Sequence, residues 1–105
     1  MVSGDISRDE VSEALVWALQ NGSPAGAPIP SRNNMIDHYG QERADALLEE
    51  IQPLLKEIMV IPVDWSAQSW QEAGDHVRDT MRERHPDLSP EAAARLRGYF
   101  MFQTK

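Results

Sequence analysis

The sequence predicts an all-α domain, a compact bundle of about four main helices. Three observations carry that reading. Every long segment with a regular apolar pattern repeats at the helical spacing of about 3.6 residues. Helix-start signals, "SRDE" at 7–10 and "LSPE" at 88–91, stand directly before two such segments. The β-like run "MVIPVD" at 59–64 is short and interrupted by Pro62, and one such segment makes no sheet by itself.

The first helix follows the Ser7/Glu10 capping box, after residues 1–6, which are expected to be disordered. Val11, Ala14, Leu15 and Ala18 recur on one face, and Asn21-Gly22 provides the stop. Val16 and Trp17 fall off that face, at about 140° and 240° from Val11. The first helix is therefore apolar over more than one stripe. "SPAGAPIP" at 23–30 cannot be helical and reads as a long extended connector. "SRNNMIDHYG" at 31–40 then suggests a short helical turn capped by Ser31 or Asn34 and ended by Gly40.

The second main helix has the strongest pattern. Ala44, Leu47, Leu48, Ile51, Leu54, Leu55 and Ile58 keep the period across Pro53. An internal proline costs about 3 kcal/mol, and a continuous aliphatic stripe offsets it at about 1.5–3 kcal/mol per buried side chain. A helix kinked at Pro53 is expected, followed by an extended crossover around Pro62. The third helix is expected from about Ser66 to Arg84, with Trp70, Ala73, Val77 and Met81 inward and Gly74 allowing close approach of a neighbour. The fourth has Ser89 as cap, Pro90 at its first position and Glu91 in its first turn. Ala93, Leu96, Tyr99 and Phe100 form its inner face.

Composition narrows the chemistry. The chain has 105 residues, 41% of them hydrophobic and 26% charged, which fits one globular domain. Without cysteine it has neither disulfides nor thiolate chemistry nor Cys-based zinc sites. Its first residues lack the basic region and solid apolar run of a signal peptide, and no stretch approaches a membrane span. These features predict a cytoplasmic protein that does not enter a membrane.

No phosphate loop, nucleophile elbow, zinc-protease or EF-hand pattern is present, and no cofactor is expected. Glu72, His76, Asp79 and Glu83 share one face of the third helix, a spacing suited to a metal or a proton-transfer pair. That face lies at about 180–240° from Trp70, away from the apolar stripe, so a solvated surface explains it. His38 beside Tyr39 has no candidate nucleophile near it in sequence. His85 suits the negative end of the third helix.

The net charge is −7, and it is uneven. Residues 1–76 hold 13 acids against 4 bases, or −9, and residues 77–105 hold 4 acids against 6 bases, or +2. The basic side chains Arg78, Arg82, Arg84, Arg95 and Arg97 are interleaved with Asp75, Asp79 and Glu83 at helical contact spacing. The fourth helix brings only Arg95 and Arg97 and ends apolar, which makes a poor recognition helix for nucleic acid.

Large side chains exceed what the inner stripes use. Val16 and Trp17 on the first helix, Trp65 in a connector, and Met101 and Phe102 at the end of the fourth are the candidate protein-interaction residues. A crowded small core is the competing explanation. The functional expectation is a small acidic protein acting by stoichiometric binding, of inhibitor or immunity type, whose partner presents a basic surface. A homodimer is the other way to cover these side chains. A DNA-binding regulator using the basic C-terminal third, and an enzyme using the Glu72/His76/Asp79 face across a dimer, are the alternatives from other classes.

Overall fold

The computed structural model describes residues 7–20, 30 and 32–104. Five helices, α1 (Arg8–Gln20), α2 (Arg32–Tyr39), α3 (Gln41–Val60), α4 (Trp70–Arg84) and α5 (Pro90–Gln103), make an all-helical fold, with no strand among the described residues. Residues 1–6 and, apart from Pro30, the proline-rich connector at 23–30 lie outside the described residues.

Helix α1 starts where its capping box places it. The Ser7 hydroxyl accepts from the Glu10 amide at 3.1 Å, and the Ser7 amide donates to the Glu10 carboxylate at 3.0 Å. Val11, Ala14, Leu15, Ala18 and Leu19 are buried. Ser12 is buried with them and does structural work. Its hydroxyl accepts from the Ser89 amide at 3.1 Å and donates to the Asp87 carbonyl at 3.5 Å. The second turn of α1 thereby holds the loop between α4 and α5.

The short turn expected before Gly40 is a full eight-residue helix, α2, with Met35 buried. Asn34 lies inside it rather than capping it, and Ser31 lies outside the described residues. Gly40 alone separates α2 from α3. Its φ of 87° belongs to the left-handed region, which glycine enters without penalty. Because the link is a single residue, α2 folds directly back onto α3.

Helix α3 is the spine, in contact with α1, α2, α4 and α5. All seven residues of its apolar stripe are buried, and it continues through Pro53 as one helix. Pro53 is exposed, so the carbonyl it leaves without a backbone partner faces water. The chain leaves α3 at Ile61, whose backbone is extended and whose side chain is buried.

Helix α4 begins at Trp70, later than the expected start near Ser66. Ser69 is its cap: the hydroxyl accepts from the Glu72 amide at 3.1 Å, and the Ser69 amide donates to the Glu72 carboxylate at 2.8 Å. Residues 64–68 form a separate turn around Asp64, whose carboxylate accepts from the amide and hydroxyl of Ser66. The start of α4 at Ser69 puts Trp70 in the first turn, where the indole is 41% exposed instead of core. Ala73, Val77 and Met81 continue the buried stripe as expected.

Helix α5 runs antiparallel to α4. Ser89 caps it by accepting from the Ala92 amide at 3.0 Å, and Pro90 takes the first position. Three contacts establish the pairing along its length. The Arg97 guanidinium donates to Asp75 at 2.9 Å, Met101 packs over Gly74, and the Trp70 indole N–H donates to the Thr104 hydroxyl at 3.0 Å. A Cβ at Gly74 would stand 2.5 Å from the Met101 sulfur, so glycine is what permits this approach. Ala92, Ala93, Leu96 and Phe100 are buried, whereas Tyr99 is only half-buried against the core.

Candidate functional site

The five interaction candidates occupy different surroundings. Val16 is half-buried and floors a concavity of about 400 Å³ between α1 and the start of α5, rimmed by Asp9, Glu13 and Glu91. Trp17 stacks on His38 with ring centres 4.3 Å apart and meets the edge of Tyr39 at 5.8 Å. That trio joins α1 to α2 as packing. Burial, followed by the nearby Glu13 carboxylate, raises the Tyr39 hydroxyl above its ordinary range. Met101 is half-buried on Gly74, and Phe102 is exposed on α5. Trp65 is 53% exposed and lies parallel to the Phe100 ring, their centres 6.3 Å apart.

Trp65 belongs to a surface that sequence reasoning only half identified. With Trp70, Gln68 and Thr104 it lines a concavity of about 640 Å³ at the end of the α4–α5 pair. The helical stripe of the sequence places Trp70 in the core and singles out neither Gln68 nor Thr104. A usable signal was present in "SWQE" at 69–72, a capping box that starts α4 at the tryptophan and turns it outward.

Both indoles are held in place. Trp65 lies parallel to Phe100 but offset from it, and the Asp64–Ser66 turn fixes the backbone on either side of it. Two further bonds close that turn, from the Ala67 and Gln68 amides to the Asp64 carbonyl at 3.0 and 2.9 Å. Trp70 is anchored through its N–H to Thr104, whose own hydroxyl donates to the Phe100 carbonyl at 2.8 Å. The site therefore presents two oriented aromatic faces with little polar lining. Such surfaces are used for contact.

The titratable groups proposed for chemistry have structural partners. Glu72 closes the α4 capping box, and His76 Nε2 donates to the Pro62 carbonyl at 3.2 Å, tying the crossover to α4. Among the described residues no group of three or more His, Asp or Glu side chains is arranged to hold a metal ion. His85 donates through Nε2 to Glu57 at 2.8 Å, and Arg84 reaches the same carboxylate at 3.0 Å. Burial pushes the Glu57 carboxyl up, but those two hydrogen bonds and positive charges outweigh it and leave the group below its ordinary range.

Four of the five arginines in the basic cluster face carboxylates. Arg78 meets Asp75 and Asp79, Arg84 meets Glu57, Arg95 meets Glu91 at 3.9 Å, and Arg97 meets Asp75. The acidic first half is crossed by further pairs, Arg8 with Glu50, Arg32 with Asp45 and Arg43 with Glu10. No described helix is long and apolar enough to cross a membrane. Set against known protein families, curated proteins and solved structures, the chain matches none.

Proposed function

We propose that this chain is a small acidic cytoplasmic protein that acts by stoichiometric binding to another protein, in the manner of an inhibitor or immunity protein. The observation that carries the reading is the concavity between Trp65 and Trp70. Two large aromatic side chains stand open to solvent in a fixed orientation, in a domain that buries most of its other large apolar residues. Exposed, pre-positioned tryptophans are expensive to keep out of a core and are characteristic anchors of protein interfaces. The net charge of −7 supplies the second element, attraction to a basic partner surface.

The test is reconstitution. Proteins captured from native lysate on the immobilised chain are identified, purified and titrated back by calorimetry. A saturable 1:1 complex whose affinity falls with added salt is the expected result. The absence of any saturable complex would remove the binding function altogether.

A further inference from the structure

We propose that the Trp65–Trp70 concavity is the face of a weak homodimer, closed across a twofold axis by the same surface of a second copy. The inference goes beyond the binding function above and stands without it. Where both hold, partner and second copy compete for one surface, and the partner draws on the monomer.

Charge singles out this surface. The two segments that meet there, 65–71 and 98–104, hold fourteen residues without one charged side chain, in a chain that is 26% charged. They are joined where the Trp70 indole bonds Thr104 and where Trp65 lies parallel to Phe100. Two copies of net charge −7 repel one another. They approach at least cost where no carboxylate is set against another, and the lining of Trp65, Gln68, Trp70 and Thr104 meets that condition. Asp64 and Glu72 stand at its margins, tied into the turn and the cap. The Arg97 guanidinium, which reaches the Gln71 carbonyl, is neutralised by Asp75.

Area sets the strength. At 53% and 41% exposure, the two indoles leave about 150–230 Å² open. Alone they fall short of the roughly 500 Å² a side that the smallest specific interfaces need. Ser66, Ala67, Ser69 and Gln71 are exposed along the same segment, and Gln68 and Thr104 are half-buried in the lining. Together these side chains reach about that lower bound and stay below the roughly 800 Å² of a standard interface. The dimer is therefore weak and depends on concentration.

A twofold contact must be complementary to itself. Indole faces satisfy this by stacking on indole faces of the other copy. Gln68 satisfies it as well, because a side-chain amide carries both donors and acceptors and pairs with its own counterpart. Thr104 and the Asp64–Ser66 turn already hold the two indoles, so little ordering is needed when the second copy arrives.

The experiment uses the full chain, by sedimentation equilibrium and by the indole N–H signals of its 3 tryptophans in ¹⁵N-labelled protein. Expected is a monomer–dimer equilibrium with a dissociation constant of about 10 µM to 1 mM, the weak range suited to so small an interface. The Trp65 and Trp70 signals should shift with protein concentration while Trp17 stays unmoved. Added salt should strengthen the dimer by screening the repulsion of like net charges, the reverse of the response expected of a basic partner. Trp65→Ala should weaken association roughly thirtyfold. Gln68→Glu and Gln68→Lys each set like charges across the axis and should weaken it about tenfold or more. Mixing those two variants should restore it, because each copy then meets the opposite charge.

A monomer at every concentration up to about 1 mM overturns the proposal, since even the smallest interfaces associate there. So does a dimer indifferent to Trp65→Ala and Gln68→Glu, which would lie on another surface, or failure of the mixed variants to associate. A monomer that still forms a saturable complex with a captured partner would end the dimer and leave the binding function standing. A dimer with no saturable partner would do the reverse.

Discussion

Ser12 shows how much one side chain can organise. It is 5% exposed and bonds to both Asp87 and Ser89, so the start of α5 is positioned from α1. Replacing it with alanine leaves a backbone amide and a carbonyl with reduced partnering. Ser12→Ala should therefore cost about 1–3 kcal/mol. Hydrogen exchange should locate the loss, with faster exchange at Ser89 and the first turn of α5 than at α3. Uniform acceleration across the chain would mean that the serine merely fills space. Phe100 is a contrasting case, buried beside Trp65 and without a polar side-chain task. Phe100→Ala should cost about 3–5 kcal/mol, seen as a large drop in melting temperature.

At the scale of elements, the α4–α5 pair closes over a position that lacks a side chain. Alanine is a better helix former than glycine by about 1 kcal/mol, so Gly74→Ala would stabilise α4 in isolation. In the folded chain its Cβ would come 2.5 Å from the Met101 sulfur and 3.1 Å from Arg97 Nε. Both belong to flexible, half-buried side chains that must shift to admit it. Gly74→Ala should therefore stabilise the native chain by less than the full propensity gain, and by more when Met101→Ala is already present. The coupling is read from four melting curves. Additive effects would show that the two helices adjust freely and that the close approach has no energetic weight.

At the scale of the whole molecule, Glu57 ties α3 to the end of α4 through Arg84 and His85. Its carboxyl lies lower in the folded state than its ordinary value of 4.5. Over the intervening range the unfolded chain binds more protons, so the contribution is complete above that value. It fades as pH falls through the folded-state value. At neutral pH, Glu57→Gln should destabilise by about 1–2 kcal/mol. The difference between variant and native melting temperatures should shrink on acidification below 4.5. A difference that stays constant across that range would show that the tie contributes through shape rather than charge.

What the sequence determined by itself was local. Caps at Ser7 and Ser89 and the aliphatic stripe of α3 follow from interactions within a few residues or from strict periodicity. The "SWQE" cap is equally local: it starts α4 at Trp70 rather than near Ser66 and leaves that side chain at the surface. Other features were not legible in any window. Whether Tyr99, Met101 or Trp65 is covered depends on which helix lies opposite, and burial is a property of the assembled surface rather than of a stripe. The same holds for polar partners: Ser12 with Ser89, and Glu57 with His85, meet across 77 and 28 positions of chain. Their contact exists only once α3 has gathered the other helices around it. The tertiary structure therefore decided which aromatic side chains remained available for a partner, because exposure is what is left after every other helix has packed.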